Sequence, residues 1–121
     1  MPELIHLHTF SDKRCSLTVM EKVLPFDIKR LFYIYGVDDS VRGKHRHHRT
    51  TQAAVCIAGS CIISNDNGEK KEEFVLDSPD KCLILYPEDY HWMHHFTKDA
   101  ILLVVASEYF NPEDYIYEPY Q

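Results

Sequence analysis

No apolar stretch in this chain approaches the length of a membrane span; the longest uninterrupted one, Ala100 to Ala106, stops far short of it. A basic leader followed by an apolar segment is also missing from the N-terminus, which argues against secretion. Lysine and arginine number 13 against 19 acidic residues, for a formal net charge of -6. That balance excludes a general nucleic-acid binder, which needs a basic face. The four cysteines, Cys15, Cys56, Cys61 and Cys82, form no C-x-x-C pair, and three of them lie in apolar runs where a free thiol serves as a small buried hydrophobe. With no disulfide framework indicated, the chain reads as a reduced, cytoplasmic protein with no membrane attachment.

Helical periodicity is almost absent as well. Short runs rich in Val, Ile, Leu, Tyr and Phe recur instead at 16–21, 30–36, 52–59, 60–66, 71–77, 81–87, 91–96 and 100–108. Turn chemistry separates them: "NDNG" at 65–68 tolerates positive φ, and "DSPDK" at 77–81 and "YPEDY" at 86–90 carry Pro and Asp. About eight short strands at this spacing predict an antiparallel sandwich or barrel. Only the tail, 111–120, carries a helical signal, with Asn111 as cap and Pro112 at the first helical position. No linker, repeat or low-complexity segment divides residues 1–121, so a single all-β domain is expected.

Against this acidic background one segment is crowded with imidazole and guanidinium: "RGKHRHHRTTQ", 42–52. Side chains alternate along a strand, so His45 and His47 share one face while Arg46 and His48 take the other. Two imidazoles on one face suit metal ligation or proton transfer, and the competing reading is a solvated basic loop. The local cations Arg42, Lys44, Arg46 and Arg49 could hold a small anion whatever the global sign.

The longer spacing narrows the choice. His45-x-His47, then Gln52, then Gly59 follows the first cupin motif, and "PEDYH" ending at His91 resembles the second, one residue short and without its glycine. That likeness implies a jelly-roll β-barrel whose mouth these residues line. A metal cupin would carry a carboxylate where Gln52 stands, so His45, Gln52, His47 and His91 would make a weak, neutral ligand set beside Arg42 and Lys44. Acid/base chemistry fits better: imidazoles exchange protons near neutral pH, and neighbouring guanidiniums hold them in the neutral form while gripping a phosphate.

More of the chain resembles a narrower family. "RCSLTVME", "PFDIKRLFYIYGV", "RGKHRHH", "QAAVCIAGSC", "LDSP", "PEDYHWMH" and "ASEYFNPEDYI" match, in order from Arg14 to Ile116, the small cupins that act as dTDP-4-keto-6-deoxyglucose 3,4-ketoisomerases. The resemblance implies a homodimer that needs no metal or other cofactor and binds the dTDP moiety of a dTDP-4-keto-6-deoxyhexose in the open end of the barrel. It makes His45 and His47 the catalytic histidines, with His47 favoured as the carbon base, and sets Tyr33 near the sugar as a third catalytic residue that polarises or protonates an oxygen. Arg42 falls to the pyrophosphate, Gly43 to a close backbone approach, and Arg14 to a position near the sugar, with Cys15 departing from the glycine of many relatives. Gln52, His91 and Tyr35 complete the expected binding set, Tyr35 being closest to an ordinary strand aromatic. Trp92 divides between covering a ligand face and packing, and His94 and His95 read as surface residues. The His6 and His8 pair suggests a strand added across a dimer. Two other readings stay beside the isomerase: a metal-dependent cupin, dioxygenase or epimerase-like, and a non-catalytic nucleotide-sugar-binding cupin.

Overall fold

β-branched and aromatic runs without helical period leave the backbone one economical way to satisfy its N–H and C=O groups, which is to pair them between strands. The computed structural model describes residues 1–121 and shows that outcome. Its strands are β1 (Glu3–His6), β2 (His8–Ser11), β3 (Ser16–Val19), β4 (Arg30–Ile34), β5 (Arg42–His47), β6 (Gln52–Ala58), β7 (Cys61–Asp66), β8 (Lys71–Leu76), β9 (Lys81–Leu85), β10 (Tyr90–His94), β11 (Ile101–Ala106) and β12 (Tyr115–Ile116). Every pairing is antiparallel. Two five-stranded sheets result, ordered β1-β9-β6-β11-β4 and β12-β5-β10-β7-β8, while β2 and β3 form a hairpin joined to neither. This is the expected antiparallel cupin-like fold. No helix is long and apolar enough to cross a membrane.

The main core lies between the two large sheets and includes Cys56, Cys61, Ile63, Leu76, Leu83, Leu102 and Val104. A second cluster, with Leu7, Ala53, Val55 and Ile84, sits under Met20, Leu24 and Phe26. β6 is therefore covered on both faces, which explains why its sequence is continuously apolar rather than alternating. The "NDNG" turn joins β7 to β8 with Gly68 at φ +93°, and Asn67 Oδ1 accepts from the backbone of Glu69 and Lys70.

Three elements bear on the expectations. β1 pairs with β9 of the same chain, Ile5 opposite Cys82 and His6 opposite Lys81, while His8 opens β2 in the separate hairpin. The tail forms the expected short helical turn, a 3-10 turn at Pro112–Asp114, before Tyr115 and Ile116 join β5 as β12, a strand the sequence did not announce. Asn111 caps that turn as anticipated, its side chain accepting from Glu113 N. The basic segment runs as strand β5 from Arg42 to His47, which decides against a solvated loop for that stretch.

Candidate active site

β5 must pass unusually close to β10. Gly43 has φ +88°, and a β-carbon there would lie 3.0 Å from the carbonyl oxygen of His91 and 3.3 Å from Trp92 Cα. Only glycine combines that conformation with that contact. The glycine expected to admit a ligand thus first admits a neighbouring strand. Lys44 follows at φ +63°, and the β5–β10 register shifts between His91 and Trp92. Beyond this irregularity His91 pairs directly with His45, and on the other edge of β5 Tyr115 pairs with His47.

Three imidazoles converge as a result. Ring centroids are 5.0 Å apart for His45–His47, 4.9 Å for His45–His91 and 6.2 Å for His47–His91. His91 is buried, and its Nδ1–H donates to the Asp89 carbonyl oxygen at 3.1 Å, which leaves Nε2 of the neutral ring as the free lone pair. His47 Nε2 is buried with no hydrogen-bond partner at all. Such an atom is costly unless something else uses it.

Burial sets the charge state of the cluster. It pushes His91 down to about 3, helped by His45 and His47 and opposed by the Asp89 carbonyl. Burial likewise takes His47 down to about 4, with His45 and Arg30 adding to it and Asp114 opposing. His45 is lowered by burial against a weaker opposing backbone contact at Gly43. Three neutral imidazoles at pH 7 form a set of proton acceptors. Asp114 anchors the far side of β5, accepting from the Arg49 backbone at 2.8 Å and from the Thr50 hydroxyl, while its own backbone carbonyl accepts from His48 N at 2.9 Å.

A cavity of about 470 Å³ opens in front of the cluster, a size suited to a small organic ligand. His45, His91, Gln52, Arg42, Gly43 and Tyr33 line it. His47 is only 5% exposed and is not among the residues that line the cavity. Tyr33 is 58% exposed and contributes at the rim, because β4 turns Phe32 inward and Tyr33 outward. Tyr35 is not brought to this cavity; the same alternation continues past the end of β4 and leaves it beside Gly36 and Asp38 in a neighbouring groove. Arg14 is not brought there either: it sits on the β2–β3 hairpin, paired with Asp12 at 2.8 Å in solvent. Arg46 faces away, stacked 4.2 Å from the Tyr120 ring centre. Trp92, His94 and His95 face a separate outer groove with Asp39 and Glu73.

Sequence reading overlooked Arg30, Phe32, Tyr115 and Tyr117, all on the cavity wall. Arg30 opens a strand recognised for its apolar residues, and Tyr115 follows an Asn-Pro helix start that drew attention away from it. No group of three or more His, Cys, Asp or Glu side chains is arranged to hold a metal ion, and the polar donors on the wall beside the imidazoles include the uncharged Gln52 amide.

Known proteins are similar to this chain over nearly its whole length. The TDP-4-oxo-6-deoxy-alpha-D-glucose-3,4-oxoisomerase of Aneurinibacillus thermoaerophilus is 38% identical over 117 residues, covering 94% of this chain and 84% of that one. A 3,4-ketoisomerase from Helicobacter canadensis superposes with a TM-score of 0.92 at 32% identity, over 97% of this chain and 90% of that one. A histidine-to-asparagine variant of the QdtA 3,4-ketoisomerase from Thermoanaerobacterium thermosaccharolyticum, solved with TDP-4-keto-6-deoxyglucose, gives 0.92 at 37% identity, over 97% and 87% of the two chains. The family described as FdtA, WxcM-like, C-terminal, matches residues 1–121 from end to end, and the chain belongs to it.

Proposed function

We propose that residues 1–121 form a single cupin-like domain that moves the keto group of dTDP-4-keto-6-deoxyglucose from C4 to C3. The observation that carries this reading is the His45–His47–His91 cluster, held neutral beside the cavity with Nε2 of His47 left without a hydrogen-bond partner. Isomerisation needs no net redox change. The C3–H and O3–H bonds break, C4–H and O4–H bonds form, and an enediol lies between. His45 faces the cavity and takes the C3 proton in this scheme. His47, whose buried Nε2 has no other partner, handles the proton exchanged between the two oxygens, an inversion of the roles favoured on sequence alone, because His45 and not His47 is among the residues lining the cavity. A relative caught with its keto sugar after a histidine was changed to asparagine supports assigning the chemistry to histidine.

Arg42 and Gly43, at the start of β5, hold the diphosphate, with Gln52 and His91 completing the sugar end and Tyr33 the rim. The product is a dTDP-3-keto-6-deoxyhexose, a ketone ready for amination at C3. A homodimer is the assembly we assign, supported by two unpaired features: the free edge of β4, with Leu31 and Tyr33 turned out, and the lone β2–β3 hairpin exposing Phe10 and Leu17. Whether Arg14 and Tyr35 meet ligand depends on where those surfaces dock. Four free thiols fit a reducing, cytoplasmic setting.

The test is a proton NMR time course of dTDP-4-keto-6-deoxyglucose in D2O with EDTA-treated enzyme. Deuterium at C3 or C4 together with a new 3-keto sugar is the expected result. Exchange that needs added divalent metal would instead make the protein a metal cupin, and no exchange under either condition would leave a nucleotide-sugar-binding protein.

A further inference from the structure

Two arginines line the cavity, one toward each end. Arg42 enters at the start of β5 and shares a second groove with Ile34 at the end of β4. Arg30 begins β4, on the order of 13 Å from Ile34 at about 3.3 Å per residue. Its guanidinium is also pinned, with Cζ 4.6 Å from the Phe32 ring centre and 5.1 Å from that of Phe110. A diphosphate gripped at Arg42 leaves Arg30 free for something at the histidine end.

What Arg30 meets there is Tyr115, with Nη1 3.5 Å from the phenol oxygen. The backbone of Tyr115 is fixed by pairing with His47, and its ring centroid lies 4.8 Å from those of both His45 and His47. The hydroxyl accepts from the guanidinium and donates to no protein group, so its hydrogen is available to the cavity. A hydroxyl that accepts from a cation is polarised toward donating more strongly.

We propose that Tyr115 is a further catalytic residue of the isomerisation, donating its O–H to the substrate's O4, and that Arg30 is the residue that positions and polarises it. The assignment rests on the ketoisomerase reading above. When the C3–H bond breaks, its proton goes to His45, its electron pair forms the C3–C4 double bond, and the carbonyl π pair moves onto O4. Tyr115 stabilises that developing oxyanion through its hydrogen bond, and its own proton is shared rather than consumed. His45 then returns its proton to C4, the O3 proton passes by way of His47 to O4, and the O3–H electron pair becomes the new C3 carbonyl, which completes the shift with Tyr115 still protonated. A preorganised donor at a developing oxyanion contributes about 10²–10³ in rate.

Tyr115→Phe should lower kcat about 100-fold, while KM and the calorimetric Kd for dTDP stay within about threefold and C3 deuterium exchange slows in parallel. Arg30→Met should lower kcat about tenfold with the same unchanged dTDP affinity, and should cost nothing further in a Tyr115→Phe background, since both act on one oxygen. A Tyr115→Phe enzyme with kcat within threefold of the parent overturns the assignment. So does an Arg30→Met enzyme that loses dTDP affinity tenfold at unchanged kcat, for that would make Arg30 a phosphate ligand. If Tyr115→Phe does not fold, Arg30→Met decides alone, because it leaves the phenol in place. A parent enzyme that turns over no keto sugar removes the ketoisomerase reading and this assignment together, whereas equal turnover by parent and variant removes only the assignment.

Discussion

His91 lies directly across the β5–β10 ladder from His45, their ring centroids 4.9 Å apart, and the Asp89 carbonyl fixes which nitrogen of His91 carries the proton. A residue forty-six positions away in sequence is thereby made part of the same proton-handling unit.

His45→Asn should reduce kcat about 10³-fold, the scale of a lost general base, with dTDP binding retained. His47→Asn should act through the second proton transfer, so C3 deuterium wash-in would outlast product formation. Single-turnover NMR separates the two, and equal loss of both signals in His47→Asn would return the carbon base to that residue.

Gly43→Ala meets two obstacles at once, a φ of +88° and a carbonyl oxygen 3.0 Å from the new methyl group. Destabilisation of roughly 2 kcal/mol is expected, seen as a lower urea midpoint. Because β5 must move off β10 to relieve the clash, kcat should fall as well. An active, fully stable Gly43→Ala protein would show that the close approach is dispensable.

Histidines whose folded values lie below the unfolded value, near 6.5, bind fewer protons when folded. For His47 and His91, at about 4 and about 3, the stability they permit is complete above that unfolded value and declines as pH falls toward the folded ones. Each contributes a slope of at most about 1.4 kcal/mol per pH unit inside that window. The urea midpoint should therefore drop between pH 7 and pH 5. Over the same interval kcat/KM should hold nearly level near neutrality, with its acid limb displaced below the ordinary histidine range. A midpoint that does not move between pH 7 and pH 5 would contradict the buried, neutral state of the pair.

Asp114→Asn removes a buried carboxylate that accepts from Thr50 and from the backbone of Arg49. A stability loss of about 1–3 kcal/mol is expected for these charge-assisted bonds. The charge that partly restrains His47 also disappears, so the His47 pKa should fall further, which histidine NMR titration can follow.

Much of this was legible before any fold was known. β6 through β11 announce themselves by β-branched and aromatic runs between turn residues, and the shared face of His45 and His47 follows from strand alternation alone. The His91–His45 pairing is different in kind: ladder register depends on the bulge that Gly43 and Lys44 create, a tertiary property with no local periodicity. β1 and β2 were obscured because their residues are mostly exposed, which removes the apolar alternation that marks a half-buried strand. Tyr115 and Arg30 carry signals that belong equally to a tail and to a strand end. Only the antiparallel return of β12 beside β5 brings them to the imidazoles.

Because His45, His47 and His91 hang from two paired strands inside a single sheet, no loop can open to dismantle that trio piecemeal, whereas Tyr115 rides on the two-residue edge strand β12. Loss of activity on heating should therefore track loss of the sheet itself, with amide hydrogen exchange in β5 and β10 slowing to the global unfolding limit. Such a trio has no partly melted, inactive intermediate to pass through, and its working range ends where its fold ends.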